Sequence, residues 1–199
     1  MISQNQIARL VELEEYPQLV NRILANGRCR SSLARRVLSQ PECAAPAATG
    51  LALQRAVELT YAPAALSAKL ARKLVVMQRR DGFFGYGRET PRGLLLAATG
   101  TALGGLLSWS AQNRCCGAMV DPSVTSAIEF GLAALATCYS SGGITDDDAV
   151  GWAIVLWQLG GHAEFRCVVP VRELSELLEE VTSDLVGDDL SRYARVMAA

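Results

Sequence analysis

Asp146-Asp147-Asp148 is the densest group of side chains in this 199-residue chain able to move protons or hold a cation. The residues around it supply a plainer use. Thr145 precedes the trio and the apolar-rich run Ala149 to Gln158 follows, so Thr145 reads as an N-cap with Asp148 at N3. Acids in a first helical turn favour the helix dipole. The single histidine, His162, is followed by Glu164 and Cys167, a spacing that matches no zinc-ligand pattern. With no second histidine, no Gly-x-Ser-x-Gly and no phosphate-cradling glycine loop, a nucleophile with its base is not assembled either. Gly85-Tyr86-Gly87-Arg88 is glycine-rich but follows a helical pattern, where a dinucleotide loop would follow a strand. Six cysteines (Cys29, Cys43, Cys115, Cys116, Cys138 and Cys167) lie at irregular spacings without a CxxC pair, and read as buried, reduced thiols. Cys115-Cys116 is too short a span to bond internally with ease and is placed near a loop. No catalytic residue, metal ligand or cofactor is assigned.

Trp109, Trp152 and Trp157 are the remaining large side chains of interest. Trp152 and Trp157 diverge by about 140° on a helix, so one cavity cannot take both, and core packing is their expected role.

These groups must be carried by helices, because β signals are weak throughout. Ile7 to Tyr16 and Leu19 to Leu24 show helical spacing, with Asn26-Gly27 as a C-terminal cap, and Ser31-Ser32 opens a short helix that Pro41 ends. Helices follow at about Ala47 to Thr60, Pro63 to Arg79, Leu94 to Ala111, Asp121 to Tyr139, Thr145 to Trp157 and Val171 to Val186, with a last one near Asp188 to Met197. Asp121-Pro122 supplies an N-cap with proline at N1. Gly93 to Asn113 is uncharged and contains Gly100-x-x-x-Gly104, which raises a transmembrane span. Its five Ser, Thr or Gln side chains and four glycines make a helix buried among other helices the better reading. The segment Met1 to Leu10 carries Gln, Asn and Arg where a secretory leader needs an apolar core, so a cytoplasmic location is expected.

Charge is unevenly distributed. Through Arg92 there are 14 basic and 7 acidic residues; beyond it there are 5 and 13. Arg28, Arg30, Arg35 and Arg36 form a basic cluster without interleaved aromatics, and seven acids crowd Glu173 to Asp189. Such polarity suits attraction between the two ends of the molecule, or between copies, better than a nucleic acid, which would want a stacking platform.

The tetrapeptide Ala-Ala-Thr-Gly occurs at Ala47 to Gly50 and again at Ala97 to Gly100, each followed in register by Ala-Leu. A fixed period of this kind is the mark of a repeat whose units bury their apolar faces on one another. At the end of the first unit, Gln78-Arg79-Arg80-Asp81-Gly82-Phe83-Phe84-Gly85 fits Gln-x-x-Asp-Gly-x-Phe/Trp-Gly. This resembles the repeat motif of the prenyltransferase and terpenoid-cyclase superfamily, whose helical hairpins stack into an α/α toroid. The resemblance covers Ala47 to Gly161 and implies a structural turn, with Gln78 at a helix end, Asp81 and Gly82 reversing the chain, and Phe84 packing beneath the neighbouring hairpin. Only this unit bears the full motif; Cys138 to Ile144 and Gln158 to Gly161 keep little beyond glycines. A closed toroid needs more hairpins than the chain can supply, so an open arc is expected. The proton-donating Asp-x-Asp-Asp of the cyclases lacks its first aspartate here, and the zinc set of the protein prenyltransferases is not matched.

The expected protein is therefore all-α, an incomplete α/α toroid spanning 46–162, with a basic helical extension at 1–45 and acidic helices packing on the core at 163–199. The expected function is non-catalytic: a cytoplasmic scaffold or adaptor presenting a helical surface to a protein partner, as a homo-oligomer, with Arg28, Arg30, Arg35 and Arg36 as a candidate interaction surface. One alternative is an enzyme or carrier for isoprenoid-type lipids, with a cavity lined by Phe83, Phe84, Trp109 and Trp152. The other is a nucleic-acid role for the N-terminal arginines. Membrane insertion is not expected.

Overall fold

The computed structural model describes residues 46–58, 64–85, 92–142, 144 and 146–183. The predicted helices before residue 46 and after 183, and the arginine cluster at Arg28 to Arg36, lie outside them. Seven helices and no strand occur among the described residues: α1 (Pro46–Glu58), α2 (Ala64–Met77), α3 (Arg92–Cys115), α4 (Pro122–Gly142), α5 (Asp146–Leu159), α6 (Ala163–Arg166) and α7 (Val171–Ser183). The chain is all-α.

The N-terminus of α4 forms as its residues dictate. Asp121 Oδ1 accepts hydrogen bonds from the Ser123 amide (3.0 Å) and hydroxyl (2.8 Å), and Pro122 occupies the first helical position without wasting a donor. Both Ser123 bonds hold the Asp121 carboxyl below the usual range, the side-chain one most.

Helix α3 is the centre of the molecule. It packs between α1 and α5, and α2 and α4 pack on each other and on α3. Glycines set the close approaches. A Cβ on Gly105 would lie 2.7 Å from the Gly50 carbonyl oxygen, and one on Gly100 would lie 2.9 Å from Val155 Cα. Gly151, in the middle of α5, meets Gly93 at the start of α3 in the same way. Contacts advance together along each pair, so α1, α3 and α5 run parallel: Gly50 meets Thr101 and Gly105, the Gln112 amide donates to the Val57 carbonyl, and Gly93, Gly100 and Gly104 meet Gly151, Val155 and Gln158. Gly100-x-x-x-Gly104 is thus a helix–helix seam inside the core. Among the described residues no helix is long and apolar enough to cross a membrane.

Leu96, Leu103, Leu106 and Leu107 of α3 share one core with Leu53, Leu70, Leu74, Leu135, Trp152 and Leu159. That core continues past His162 through Phe165, Val169, Leu174 and Leu178, and α7 packs on α5. The short helix α6 carries no periodic signal of its own and was not expected. Its Phe165 is fully buried, which is what holds it.

Candidate functional site

The turn after α2 organises the outer face. Gln78 Nε2 donates to the Gly82 carbonyl and to the Ala127 carbonyl of α4, both at 2.9 Å. Asp81 Oδ1 accepts from the Phe83 amide (3.2 Å), and the Arg79 guanidinium grips both Asp81 oxygens at 3.2 and 2.7 Å. Gly82 has φ 86°, and a Cβ there would sit 2.7 Å from the Phe130 carbonyl oxygen. Its lack of a side chain therefore serves both the backbone conformation and the packing. Phe84 is fully buried, and its amide donates to Thr99 Oγ1 (3.0 Å), the threonine of the second Ala-Ala-Thr-Gly. Thr99 in turn donates to the Leu95 carbonyl at 2.6 Å. The turn is thereby fastened to α4 on one side and α3 on the other.

Between that turn, the first turns of α3 and the second half of α4 lies a groove of about 510 Å³. Phe83, Leu95, Leu96, Phe130, Ala133 and Ala134 make apolar walls, with Asp81, Arg92, Thr137, Cys138 and Ser141 at the polar positions. A mainly apolar concavity with a few polar groups is the usual build of a binding site. Phe130 is 47% exposed on one wall.

Arg92 closes one end. Its Nη2 donates to the Cys138 carbonyl (3.3 Å), and its Nε lies 3.2 Å from Asp148 Oδ2. The second contact is an ion pair rather than an aligned hydrogen bond. Asp148 is the third residue of α5, as the capping pattern requires, but its carboxylate is 2% exposed and directed at Arg92. Thr145 lies outside the described residues. Behind this pair, the Tyr139 and Trp152 rings meet edge to face at 6.0 Å. Burial raises the Cys138 thiol above its usual value, with Arg92 opposing.

The four aromatic residues proposed to line one cavity are dispersed. Phe83 lines the groove, whereas Phe84 points into the core beneath Thr99. Trp109 Nε1 donates to Ser67 Oγ on α2 (3.2 Å), and Trp152 packs on Tyr139. Trp157 is 45% exposed, not core. Phe130 and Arg92, which shape the groove, carried no motif; an aromatic on the polar side of the α4 pattern was the one available signal.

The four described cysteines correct the expectation of buried thiols; Cys29 and Cys43 lie outside the described residues. Cys115, Cys116 and Cys167 are exposed and Cys138 is half-buried, because all of the first three lie at helix ends or turns. Glu164 pairs with Arg114 at 3.0 Å rather than joining His162 and Cys167. No group of three or more His, Cys, Asp or Glu side chains able to hold a metal occurs among the described residues. Burial lowers the His162 pKa, and nearby Glu164 opposes that. Comparison with family models, with curated proteins and with solved structures returns no match.

Proposed function

We propose that this chain is a non-catalytic helical-hairpin protein whose outer groove receives a segment of a protein partner. In this reading α1/α2, α3/α4 and α5/α7 are successive hairpins of an open α/α arc, as the prenyltransferase-like motif implies. The parallel seam of α1, α3 and α5, with α2 against α4 outside it, supports that arrangement. Stacked hairpins make extended recognition surfaces without dedicated chemistry. Cytoplasmic residence and homo-oligomerisation through the basic and acidic ends belong to the same proposal.

The observation that carries it is the half-exposed Phe130 in the wall of the 510 Å³ groove. A core helix has no need of an aromatic there, whereas a partner's apolar side chain does. The position of Phe83 in the same wall keeps a second reading, an apolar small-molecule or isoprenoid-type carrier. Selection from a displayed peptide library separates them. The expected result is a set of peptides whose affinity falls about tenfold or more with Phe130→Ser, as for an interface anchor. A stoichiometric lipid seen by native mass spectrometry, with no peptide enriched, would replace the partner reading with the carrier.

A further inference from the structure

The groove does not stand alone on its face. Along α2, Lys69, Arg72 and Val76 recur at i, i+3 and i+7, the spacing of a single helical stripe, and all three are exposed. Val76 is 84% exposed between its basic neighbours, and the Arg72 side chain is 69% exposed. The stripe runs on into the turn, where Arg80 is exposed immediately before Asp81 and Phe83, two lining residues of the groove.

Among the described residues, the charges of this face do not cancel. Asp81 is held by Arg79, and Asp148 is paired with Arg92. Asp121 reaches Arg72 only at 3.7 Å, with both side chains open to solvent, where a pair contributes little. Helix α4, the other wall, carries Glu129 as its one charged residue. Lys69, Arg72 and Arg80 therefore leave a positive ridge that runs along α2 to the turn at one edge of the apolar slot.

We infer that the groove's partner is an acidic segment with an aromatic or aliphatic anchor: the anchor enters beside Phe130 while the carboxylates lie along Lys69, Arg72 and Arg80. This rests on the partner reading above and names the chemistry of the partner. Carboxylates at i and i+3 of a helix would lie along Lys69 and Arg72, with a third about two turns further on, past Val76, to reach Arg80. A nucleic acid would use the same charges but would want a succession of flat, exposed rings to stack on, whereas Phe130 is the single open ring of this groove and Phe83 is half-buried in its wall.

Fluorescence anisotropy tests this with a labelled helical peptide of about 16 residues bearing Glu at i, i+3 and i+11 and one Phe, a length matched to the ridge and turn. A Glu-to-Gln version of the peptide and a polyuridine oligomer serve as comparison probes. Binding of the acidic peptide should weaken about tenfold or more in Lys69→Glu/Arg80→Glu and should fall as salt shortens the Debye length. The Gln peptide should bind less tightly and be indifferent to the charge reversal. Phe130→Ser should weaken both peptides. These substitutions are at exposed or half-exposed side chains, and circular dichroism checks that the variants keep their helix. If Phe130→Ser weakens binding while charge reversal does not, the groove stands and the acidic partner is overturned. Indifference to both variants overturns both. Binding of polyuridine without the peptide makes the ridge a nucleic-acid surface and overturns the inference.

Discussion

At the scale of single residues, the turn after α2 was legible because its interactions are local. Asp81 bonds the amide two residues on, Gly82 takes a positive φ, and Phe84 is buried within the same short stretch. Phe84→Ala should cost about 3–5 kcal/mol, and Gly82→Val about 2–4 kcal/mol from backbone strain and a clash with Phe130, both read by denaturant unfolding. Asp148 was half legible. Its place in a first turn follows from sequence, but its partner Arg92 is far away in the chain and no local pattern announces it. Asp148→Asn should therefore cost about 1–2 kcal/mol, beyond the contribution of an acid to a helix end, because the Arg92 guanidinium loses its carboxylate and a neutral amide takes the buried place beside it. A cost no larger in the presence of Arg92 than in an Arg92→Met background would show that the pair is not coupled. His162 gives a pH test. Its pKa is lowered on folding, so the unfolded chain binds more protons as pH falls below 6.5. Stability is fully present above that pH and declines as pH falls towards the folded value, and His162→Gln should remove that part of the decline.

At the scale of elements, helices could be read from apolar spacing, and Asp121-Pro122 fixed the start of α4. The duplicated Ala-Ala-Thr-Gly marked small residues at equivalent places, yet which glycine faces which helix depends on rotation about each axis. Gly100 faces α5, Gly105 faces Gly50 of α1, and Gly104 lies against side chains of both, Gln54 and Gln158. Gly105→Leu should wedge α1 from α3 and lower stability by about 3 kcal/mol, near the upper range for overpacking, with a lower melting temperature as the readout. The thiols report the same architecture from outside. Cys115, Cys116 and Cys167 should alkylate quickly in the native protein and Cys138 slowly, since it is half-buried and its thiol is held protonated. Peptide mass mapping after brief labelling checks the order. Equal rates would mean that the second half of α4 does not rest on the start of α3.

For the molecule as a whole, composition revealed a basic first part and an acidic last part, but not where a partner would sit. The groove is built from three separated stretches, the turn at Asp81 and Phe83, the start of α3 and the outer side of α4, and only packing brings them together. The basic stripe of α2 was hidden for a related reason: its lysine and arginine look like any solvated helix face until the apolar groove appears beside them. Amide chemical-shift mapping with the acidic, Phe-bearing peptide tests the central claim most directly. The account predicts shifts concentrated at Asp81 to Phe83, Arg92 to Leu96, Phe130 to Ser141 and the Lys69 to Val76 side of α2. Shifts confined to other parts of the chain, or none at concentrations where the peptide is bound, would contradict it.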